Sequence, residues 1–280
     1  MSTPLTAWAA EHGRDLPWRR TRDPWAILVS EVMLQQTQVA RVIPVWHSFL
    51  EQFPTPRACA DAGQAAVVTA WHGMGYNRRA VNLHRCAVAI TTEHEGRVPA
   101  DLAALLRLPG IGPYTARAVL VFAFEFAAGV VEVNTARVYA RLAGRTLTAR
   151  ELQVAADAAT PPSHAWEWNQ AMLDLGATVC TKRAPDCTRC PLVAACSWRA
   201  IGPDPASPGS RQSRFEGSDR QGRGRLVAAL RRGPVSTQGD ELAAVMGWPD
   251  DPERSLRVAM TVVADGLAKW EVQWSALSLQ

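Results

Sequence analysis

Four of the six cysteines lie close together in the stretch CTKRAPDCTRCPLVAAC, residues 180–196. Thiols at such short spacing form disulfides, bind zinc or bind an iron–sulfur cluster. The N-terminal segment lacks the basic start, apolar core and cleavage site of a secretory signal, so we expect a cytoplasmic protein with reduced thiols. The residues therefore favour metal over disulfides and leave zinc and iron open. The candidate ligands, spaced C-x6-C-x2-C-x5-C, are Cys180, Cys187, Cys190 and Cys196.

A second chemical feature is the stretch LPGIGPYTAR, residues 108–117. Gly110 and Gly112 allow close approach of another group, and the helix that follows presents backbone N–H groups at its positive end. Such a turn can bind a DNA phosphate. An ordinary helix–helix turn uses glycine in the same way, so the turn alone leaves both interpretations open.

The charge of the chain is uneven. The 280 residues carry a net charge of +4, but residues 199–232 contain eight arginines against three acidic residues. A basic segment suits a polyanionic partner, and a solvated arginine-rich linker is an equal alternative on charge alone. No apolar run reaches the roughly 18 residues that cross a bilayer, so we expect no membrane association.

The elements that must position these residues are helices. Apolar residues recur at helical spacing in 23–53, 64–74, 79–94, 101–107, 115–127 and 134–143, which predicts an all-α fold. Helix ends are predicted at four prolines: Pro44, Pro54, Pro99 and Pro109.

The C-terminal part has a different pattern. Residues 203–215 lie in a Pro/Gly/Ser-rich linker, and 216–280 follow as a separate module. Helical patterns at 219–232, 239–246 and 252–266 precede LAKWEVQWSALSL, which alternates as a small hairpin does. Three helices and a terminal β-wing resemble a winged-helix module.

Several motifs occur in an order that resembles adenine DNA glycosylases of the MutY type, in the endonuclease III superfamily of helix-hairpin-helix glycosylases. They are LPWRRTRDPWAILVSEVMLQQTQVARVIP, WHGMGYNRRAVNLH, LPGIGPYTARAV, NQAMLDLGATVC and the cysteine cluster. The resemblance covers roughly residues 6–198. It implies a base-excision-repair enzyme that removes adenine mispaired with 8-oxoguanine or guanine, and it selects a [4Fe–4S] cluster rather than zinc for the four cysteines.

The resemblance implies two catalytic carboxyl groups. Glu31 of SEVMLQQTQ would be the general acid, and its apolar neighbours favour the protonated form of a carboxyl. The second would be the aspartate of the family's Asp-x-Asn-Val-x-Arg-Val stretch, which here is Glu132. Asn134 and Arg137 match that stretch. The additional methylene of Glu132 leaves three readings open: a tolerated variant, which we favour, a slow enzyme, or altered chemistry.

Other site residues follow from the same resemblance. Tyr114 occupies the position of the Schiff-base lysine in bifunctional relatives, which implies a monofunctional enzyme. Arg14 and Trp18 match residues lining the adenine pocket. Gln36 and Tyr76 match residues that enter the base stack beside the partner base. Where the family usually has a second tyrosine, this chain has Asn77, which predicts a changed recognition of the partner base.

The resemblance also implies an organisation into lobes. Residues 1–20 with 127–202 would form an iron–sulfur lobe, and 21–126 a six-helix lobe with the helix-hairpin-helix at 105–117. Residues 216–280 are too short for the Nudix-like domain of many family members. We expect a bacterial monomer acting on mispaired duplex DNA and associated with the nucleoid. The alternatives are a thymine or uracil mismatch glycosylase and a catalytically weakened DNA-binding iron–sulfur protein.

Overall fold

The chain is mostly helical in a computed structural model, which describes residues 3–199, 201–206 and 214–280. The predicted all-α class is thereby confirmed. The helices in the described residues are α1 Pro4–His12, α2 Pro24–Leu34, α3 Val39–Gln52, α4 Pro56–Asp61, α5 Gln64–Ala70, α6 Arg78–Glu93, α7 Leu102–Arg107, α8 Pro113–Phe124, α9 Val133–Ala143, α10 Ala149–Ala159, α11 Ala165–Thr178, α12 Asp219–Leu230, α13 Glu241–Met246 and α14 Pro252–Ala264. The strands are β1 Val235–Ser236, β2 Ala268–Glu271 and β3 Ala276–Leu279, and short 3-10 turns lie at Pro17–Arg19, Cys187–Arg189, Val193–Ala195 and Val272–Trp274.

Two details differ from the sequence-based expectation. The apolar run at 23–53 is two helices, α2 and α3, separated by a short loop. Pro44 was expected to end a helix, and that expectation is wrong because Pro44 lies inside α3. The proline removes one backbone hydrogen bond, whereas α3 buries Val42, Trp46 and Phe49 along one face. Burial of that face stabilises the helix more than the missing bond destabilises it.

The described chain divides into two compact units. Residues 1–28, 100–106 and 111–210 form the first, and residues 29–99, 107–110 and 211–280 form the second. Within the first unit, buried side chains from α1, α9, α10 and α11 form a core. α11 approaches the start of α9 closely at Gly176, where an added Cβ would lie 2.9 Å from Cβ of Asn134. Glycine is required there because any side chain would push the two helices apart.

The second unit contains the C-terminal module. Its helices α12, α13 and α14 pack on one another, and its sheet has the strand order β1-β3-β2 with antiparallel pairing. Trp270 on β2 and Val235 on β1 both pair with Leu277 of β3. The predicted three helices and terminal hairpin are therefore present. A two-residue third strand, which the sequence pattern did not indicate, completes the sheet. Among the described residues, no helix has the length and apolarity needed to cross a membrane.

Candidate functional site

Glu132 is the N-cap of α9. Its Oε1 accepts hydrogen bonds from the backbone N–H groups of Asn134 at 2.8 Å and Thr135 at 3.0 Å. Thr135 Oγ1 accepts in return from the backbone N–H of Glu132 at 2.8 Å, which completes a capping box. The segment leading to the cap is held by Asn169, whose Oδ1 accepts from the backbone N–H of Val130 at 2.7 Å. The Glu132 side chain thereby satisfies two N–H groups of the first turn of α9 that have no partner within the helix.

Asn134 and Arg137 extend this arrangement. Asn134 Nδ2 donates to Oε2 of Glu132 at 3.1 Å, and Asn134 Oδ1 accepts from Arg137 Nη2 at 2.9 Å. Arg137 also donates to the carbonyl oxygens of Gly176 at 2.6 Å and Cys180 at 2.9 Å. Burial lowers the pKa of the Arg137 guanidinium, while the neighbouring Cys180 and Glu132 act to raise it. A continuous line of hydrogen bonds therefore joins the Glu132 carboxylate to the beginning of the cysteine loop.

The four clustered cysteines line one cavity. All six cysteines are free thiols, and Cys180, Cys187, Cys190 and Cys196 contribute to the cavity wall together with Arg141. Arg141 Nη1 donates to Cys180 Sγ at 3.2 Å, and its Nη2 is 2.6 Å from Oδ2 of Asp204. Burial and the neighbouring thiols raise the pKa of Cys190 and of Cys187.

Four thiols around one cavity are a donor set for a thiolate-bound metal ion or an iron–sulfur group. A bound metal cation favours the thiolate form of its cysteine ligands. Among the described residues, no group of three or more His, Cys, Asp or Glu side chains is arranged as a preformed site for a metal ion.

Glu31 lies in the last half of α2 and is 4% exposed. The side chains around it along the helix are apolar and buried, including Leu28, Val29, Val32 and Met33. A helix that is apolar on all sides belongs to the interior of a protein. Glu31 is thus a buried carboxyl group on a buried helix.

Arg79 holds the helix end that carries Glu31. Its Nη1 donates to the carbonyl oxygens of Val32 and Met33, both at 2.8 Å, at the C-terminal end of α2. These carbonyls belong to the last turn of a helix, where no intrahelical donor is available. Arg79 is 9% exposed, and burial lowers the pKa of its guanidinium to about 10, so it remains charged at neutral pH. The sequence analysis did not single out this residue, although it belongs to the motif WHGMGYNRRAVNLH.

The same guanidinium binds two surface loops. Arg79 Nη2 donates to Thr37 Oγ1 at 2.8 Å and to the carbonyl oxygens of Met74 at 3.4 Å and Gly75 at 3.3 Å. The first contact lies in the α2–α3 loop and the other two lie in the turn before α6. One side chain therefore joins the loop that carries Gln36 to the turn that carries Tyr76.

Gln36 and Tyr76 share an unusual backbone. They have φ of 57° and 46°, and they are two of six non-glycine residues at positive φ in the described chain. Each such residue costs roughly 1–3 kcal/mol unless its surroundings hold it, and such residues cluster at functional sites. Both are exposed, and Tyr76 presents 41% of its surface to solvent.

Asn77, at the position where the family usually has a tyrosine, binds the C-terminal module. Its Oδ1 accepts from Arg231 Nη2 at 3.2 Å, and the same guanidinium donates to the carbonyl oxygen of Val68 at 2.9 and 3.1 Å. Burial lowers the pKa of Arg231. The amide is thus used to attach the module beside Tyr76, a role that no local sequence pattern indicates.

The glycines of the hairpin have different roles. Gly110 has φ of +77°, and a Cβ there would lie 2.7 Å from Cβ of Asn82, so both the backbone and the space require glycine. Gly112 has an extended backbone and is the N-cap of α8, with Pro113 as the first helical residue. Tyr114 is the second residue of α8 and is half-buried.

Arg14 and Trp18 lie near the N-terminus, and Arg14 binds a buried aspartate together with Arg19. Arg14 Nε is 2.6 Å from Oδ1 of Asp174, and Arg19 Nη1 is 2.7 Å from Oδ2. Asp174 is 1% exposed, and Trp18, in the adjacent 3-10 turn, is 7% exposed. Burial by itself would raise the pKa of Asp174, but the hydrogen bonds and charges of Arg19 and Arg14 hold it below its usual range.

The structure brings several sequence-predicted residues into contact within each unit. In the first unit, Glu132 binds Asn134, and Arg137 continues to the cysteine loop. In the second unit, the Gln36 loop and the Tyr76 turn share Arg79.

A family model, described as HhH-GPD superfamily base excision DNA repair protein, matches residues 29–161. An adenine DNA glycosylase from Mycolicibacterium smegmatis is 43% identical over 270 residues, which is 95% of this chain and 91% of that protein. An adenine DNA glycosylase from Homo sapiens is 39% identical over 210 residues, covering 70% of this chain and 38% of the human protein.

Two solved structures are similar in fold. A thermostable thymine-DNA glycosylase has a TM-score of 0.67 and 29% identity, covering 70% of this chain and 94% of that one. A trapped endonuclease III–DNA covalent intermediate has a TM-score of 0.60 and 24% identity, covering 70% of this chain and 97% of that one. With its order of motifs, its helical fold and these relatives, the chain belongs to the adenine DNA glycosylase family of the HhH-GPD base excision repair superfamily.

Proposed function

We propose that this protein is a monofunctional DNA glycosylase that removes adenine mispaired with 8-oxoguanine or guanine. The observation that carries the proposal is the burial of Glu31 in an apolar helix, at the acid position of the family motif. Burial in apolar surroundings favours the neutral form of a carboxyl, and adenine must be protonated to leave as a neutral base. Glu31 would supply that proton.

Glu132 would stabilise the sugar as it becomes an oxocarbenium ion. Its carboxylate is held by two backbone N–H groups and by the amide of Asn134, so little reorganisation is needed when positive charge develops. The hydrogen bonds also limit where the longer glutamate can reach. Asn134 and Arg137 act as positioning residues in this mechanism.

Tyr114 supports a monofunctional reaction. A tyrosine hydroxyl cannot form a Schiff base with the sugar, so the chain has no nucleophile for strand cleavage at this position. Base removal by water would leave an abasic site in an unbroken strand.

The target adenine must leave the duplex before it can be reached. Gln36 and Tyr76, both exposed and at positive φ, would enter the base stack beside the partner base. Arg14 and Trp18 would line the adenine pocket, and the backbone at Gly110 and Gly112 would bind a DNA phosphate at the start of α8. These roles make mispaired duplex DNA the proposed partner. We further propose that the protein acts as a monomer in the bacterial cytoplasm.

The four cysteines would hold a [4Fe–4S] cluster. The shared cavity and the four free thiols around it support a group with four thiolate ligands. When bound, the cluster would fix the loop that follows α11 and hold Cys180 in place. Arg137 donates to the Cys180 carbonyl oxygen and to Asn134 Oδ1, so a fixed Cys180 would also restrain the position of Asn134.

A thymine mismatch glycosylase is the second candidate, favoured by the similarity to a thymine-DNA glycosylase structure and by Tyr114. Both candidates are tested by one panel of duplexes containing A:8-oxoG, A:G, A:C, T:G and U:G pairs. We expect release of adenine, fastest opposite 8-oxoguanine, and no strand cleavage unless alkali is added afterwards. Release of thymine from T:G with no adenine release would support the second candidate. Failure to release any base would support a DNA-binding protein that has lost catalysis.

A further inference from the structure

A large cleft lies inside the second unit, between the C-terminal module and two loops. One wall is the α2–α3 loop with the turn before α6, and the other is helix α12. Its volume is about 1200 Å³, larger than the roughly 300–1,000 Å³ of small-molecule pockets. A cleft of this size fits a segment of a polymer better than a metabolite.

The module presents one face of α12 to the cleft. The lining residues on α12 follow the spacing i, i+3, i+4, i+7, i+8, which is a single stripe of a helix. They are Arg220, Arg223, Gly224, Val227 and Ala228, and Arg231 follows directly after the helix. Gly224 at the centre of the stripe has no side chain, so a ligand can approach the helix backbone there.

The lining is strongly basic. One carboxylate, Asp265, is present among the described lining residues, and it is bound by Arg78 at 3.3 Å and by Arg223. The arginines of the lining are Arg41, Arg78, Arg79, Arg220, Arg223 and Arg231. Clefts lined by one sign of charge concentrate ligands of the opposite sign. The cleft therefore suits a polyanion.

Specific contacts hold the two walls together. Arg231 donates to Val68 O and Asn77 Oδ1, and Gln64 Nε2 donates to the carbonyl oxygen of Gly266 at 2.6 Å. The module is thus attached to α5, before the Tyr76 turn, and to Asn77 directly after Tyr76. Its arginines lie along the same cleft as Gln36 and Tyr76.

We propose that this cleft binds the backbone phosphates of the DNA strand that carries the adenine's partner base, with arginines of α12 as phosphate ligands. Gln36 and Tyr76 are assigned to the partner base by the proposed function, so the inference rests on that function. Phosphate contacts position a protein on DNA without reading sequence. The C-terminal module would hold the partner strand while the loops contact its base.

The decisive experiment couples a protein change to a DNA change. Full-length wild type and Arg220→Gln are titrated with A:8-oxoG duplexes whose individual phosphates are replaced by neutral methylphosphonates, on one strand at a time. We expect Arg220→Gln to weaken binding about tenfold, as loss of one charged hydrogen bond does. The slope of log K against log salt should fall by about 0.9. Partner-strand replacements near the mispair should then add no further loss, because both changes remove the same contact.

Two further variants complete the design. Arg232→Gln removes the same charge from an exposed residue of the module outside the cleft lining, and it should bind as wild type does. Arg41→Gln, on the opposite wall, should show the same coupling as Arg220→Gln even if the latter folds poorly. The inference would be overturned if, in both Arg220→Gln and Arg41→Gln, the loss of affinity from the variant and the loss from partner-strand methylphosphonates simply added. It would also be overturned if the non-additive losses appeared on the adenine strand instead.

Base release is measured separately on the same duplexes. Non-additive losses without release of adenine would contradict the proposed function and support phosphate binding in the cleft. Release of adenine with purely additive losses would support the proposed function and contradict phosphate binding in the cleft.

Discussion

Glu132 and Asn134 are joined by two hydrogen bonds, one from the backbone N–H and one from the side-chain amide, at 2.8 and 3.1 Å. Aspartate is a favoured N-cap residue. Glutamate can cap a helix in the same way only where the protein accommodates its additional methylene. Here the longer side chain folds back onto the first turn of α9. A position that the family uses for chemistry therefore also begins a helix.

We predict that Glu132→Asp raises the single-turnover rate on A:8-oxoG DNA. The shorter carboxylate restores the reach of the family residue and is still a good N-cap. A tenfold gain would correspond to about 1.4 kcal/mol of barrier, a plausible size for one methylene of misfit. Glu132→Gln should nearly abolish the rate because the positive charge of the sugar loses its counterion.

Glu151→Gln is the matched control, since Glu151 occupies a capping box at the exposed start of α10. It should leave the rate unchanged. If Glu132→Gln is as active as the parent, residue 132 is not the second carboxylate and the mechanism fails. A fall in rate for Glu132→Asp would mean that the pocket is built for glutamate.

Glu31→Gln should bind mispaired DNA and leave adenine in place, because an amide cannot protonate the base. Affinity from gel shift and rate from single turnover separate the two effects. Glu51→Gln makes the same change at an exposed residue and should keep full activity. Activity retained by Glu31→Gln would assign the acid to another residue.

Arg79→Met should destabilise the protein by about 3 kcal/mol, because buried carbonyl oxygens of α2 and the Tyr76 turn lose their donor. We also expect weaker discrimination between 8-oxoguanine and guanine opposite adenine, since both loops lose their shared contact. Denaturant unfolding and paired rate measurements test this. Arg57→Met, at an exposed arginine, should change neither quantity. Unaltered stability of Arg79→Met would contradict the role assigned to the guanidinium.

Cys190→Ser should lose the brown colour of an iron–sulfur protein together with DNA binding, because three thiolates do not hold the cluster firmly. Cys59→Ala, at a buried cysteine outside the cavity, should keep the colour. Metal analysis of an anaerobic preparation decides the identity of the group. Stoichiometric zinc without iron would reject the cluster.

Asp174→Asn should destabilise the protein by about 3–5 kcal/mol at neutral pH, because it leaves the partly buried Arg14 and Arg19 without their partner. The pKa of Asp174 is lower in the folded protein than its ordinary value of 3.8. Its stabilisation is therefore fully present above about pH 4 and is lost as the pH falls through the folded value.

The measurement is the free energy of unfolding against pH for wild type and Asp174→Asn. The difference between the two should shrink as the solution becomes more acidic than pH 4. Asp15→Asn, at an exposed pair with Arg20, should cost at most about 1 kcal/mol at any pH. A difference that does not change with pH would show that Asp174 acts through packing rather than charge.

Local patterns in the sequence determined much of this protein. Apolar spacing located most helices, and alternation in LAKWEVQWSALSL indicated the hairpin formed by β2 and β3. Motif order indicated the family, and with it Glu31, Tyr114 and the four cysteines. These features depend on residues a few positions apart, which helical and strand periodicity record directly.

The tertiary structure alone decided which long side chains hold the site together. Arg79 reaches Val32 across 47 positions and Arg231 reaches Asn77 across 154. The partners of Arg79 are carbonyl oxygens left without donors at a helix end and in a turn, and folding brings them to one point in space. A guanidinium donates to whichever acceptors the fold brings near it. The acceptors that an arginine binds therefore cannot be predicted from spacing along the chain. For the same reason, only the packed chain shows that Asn77 attaches the C-terminal module and that α12 lines a basic cleft beside Tyr76.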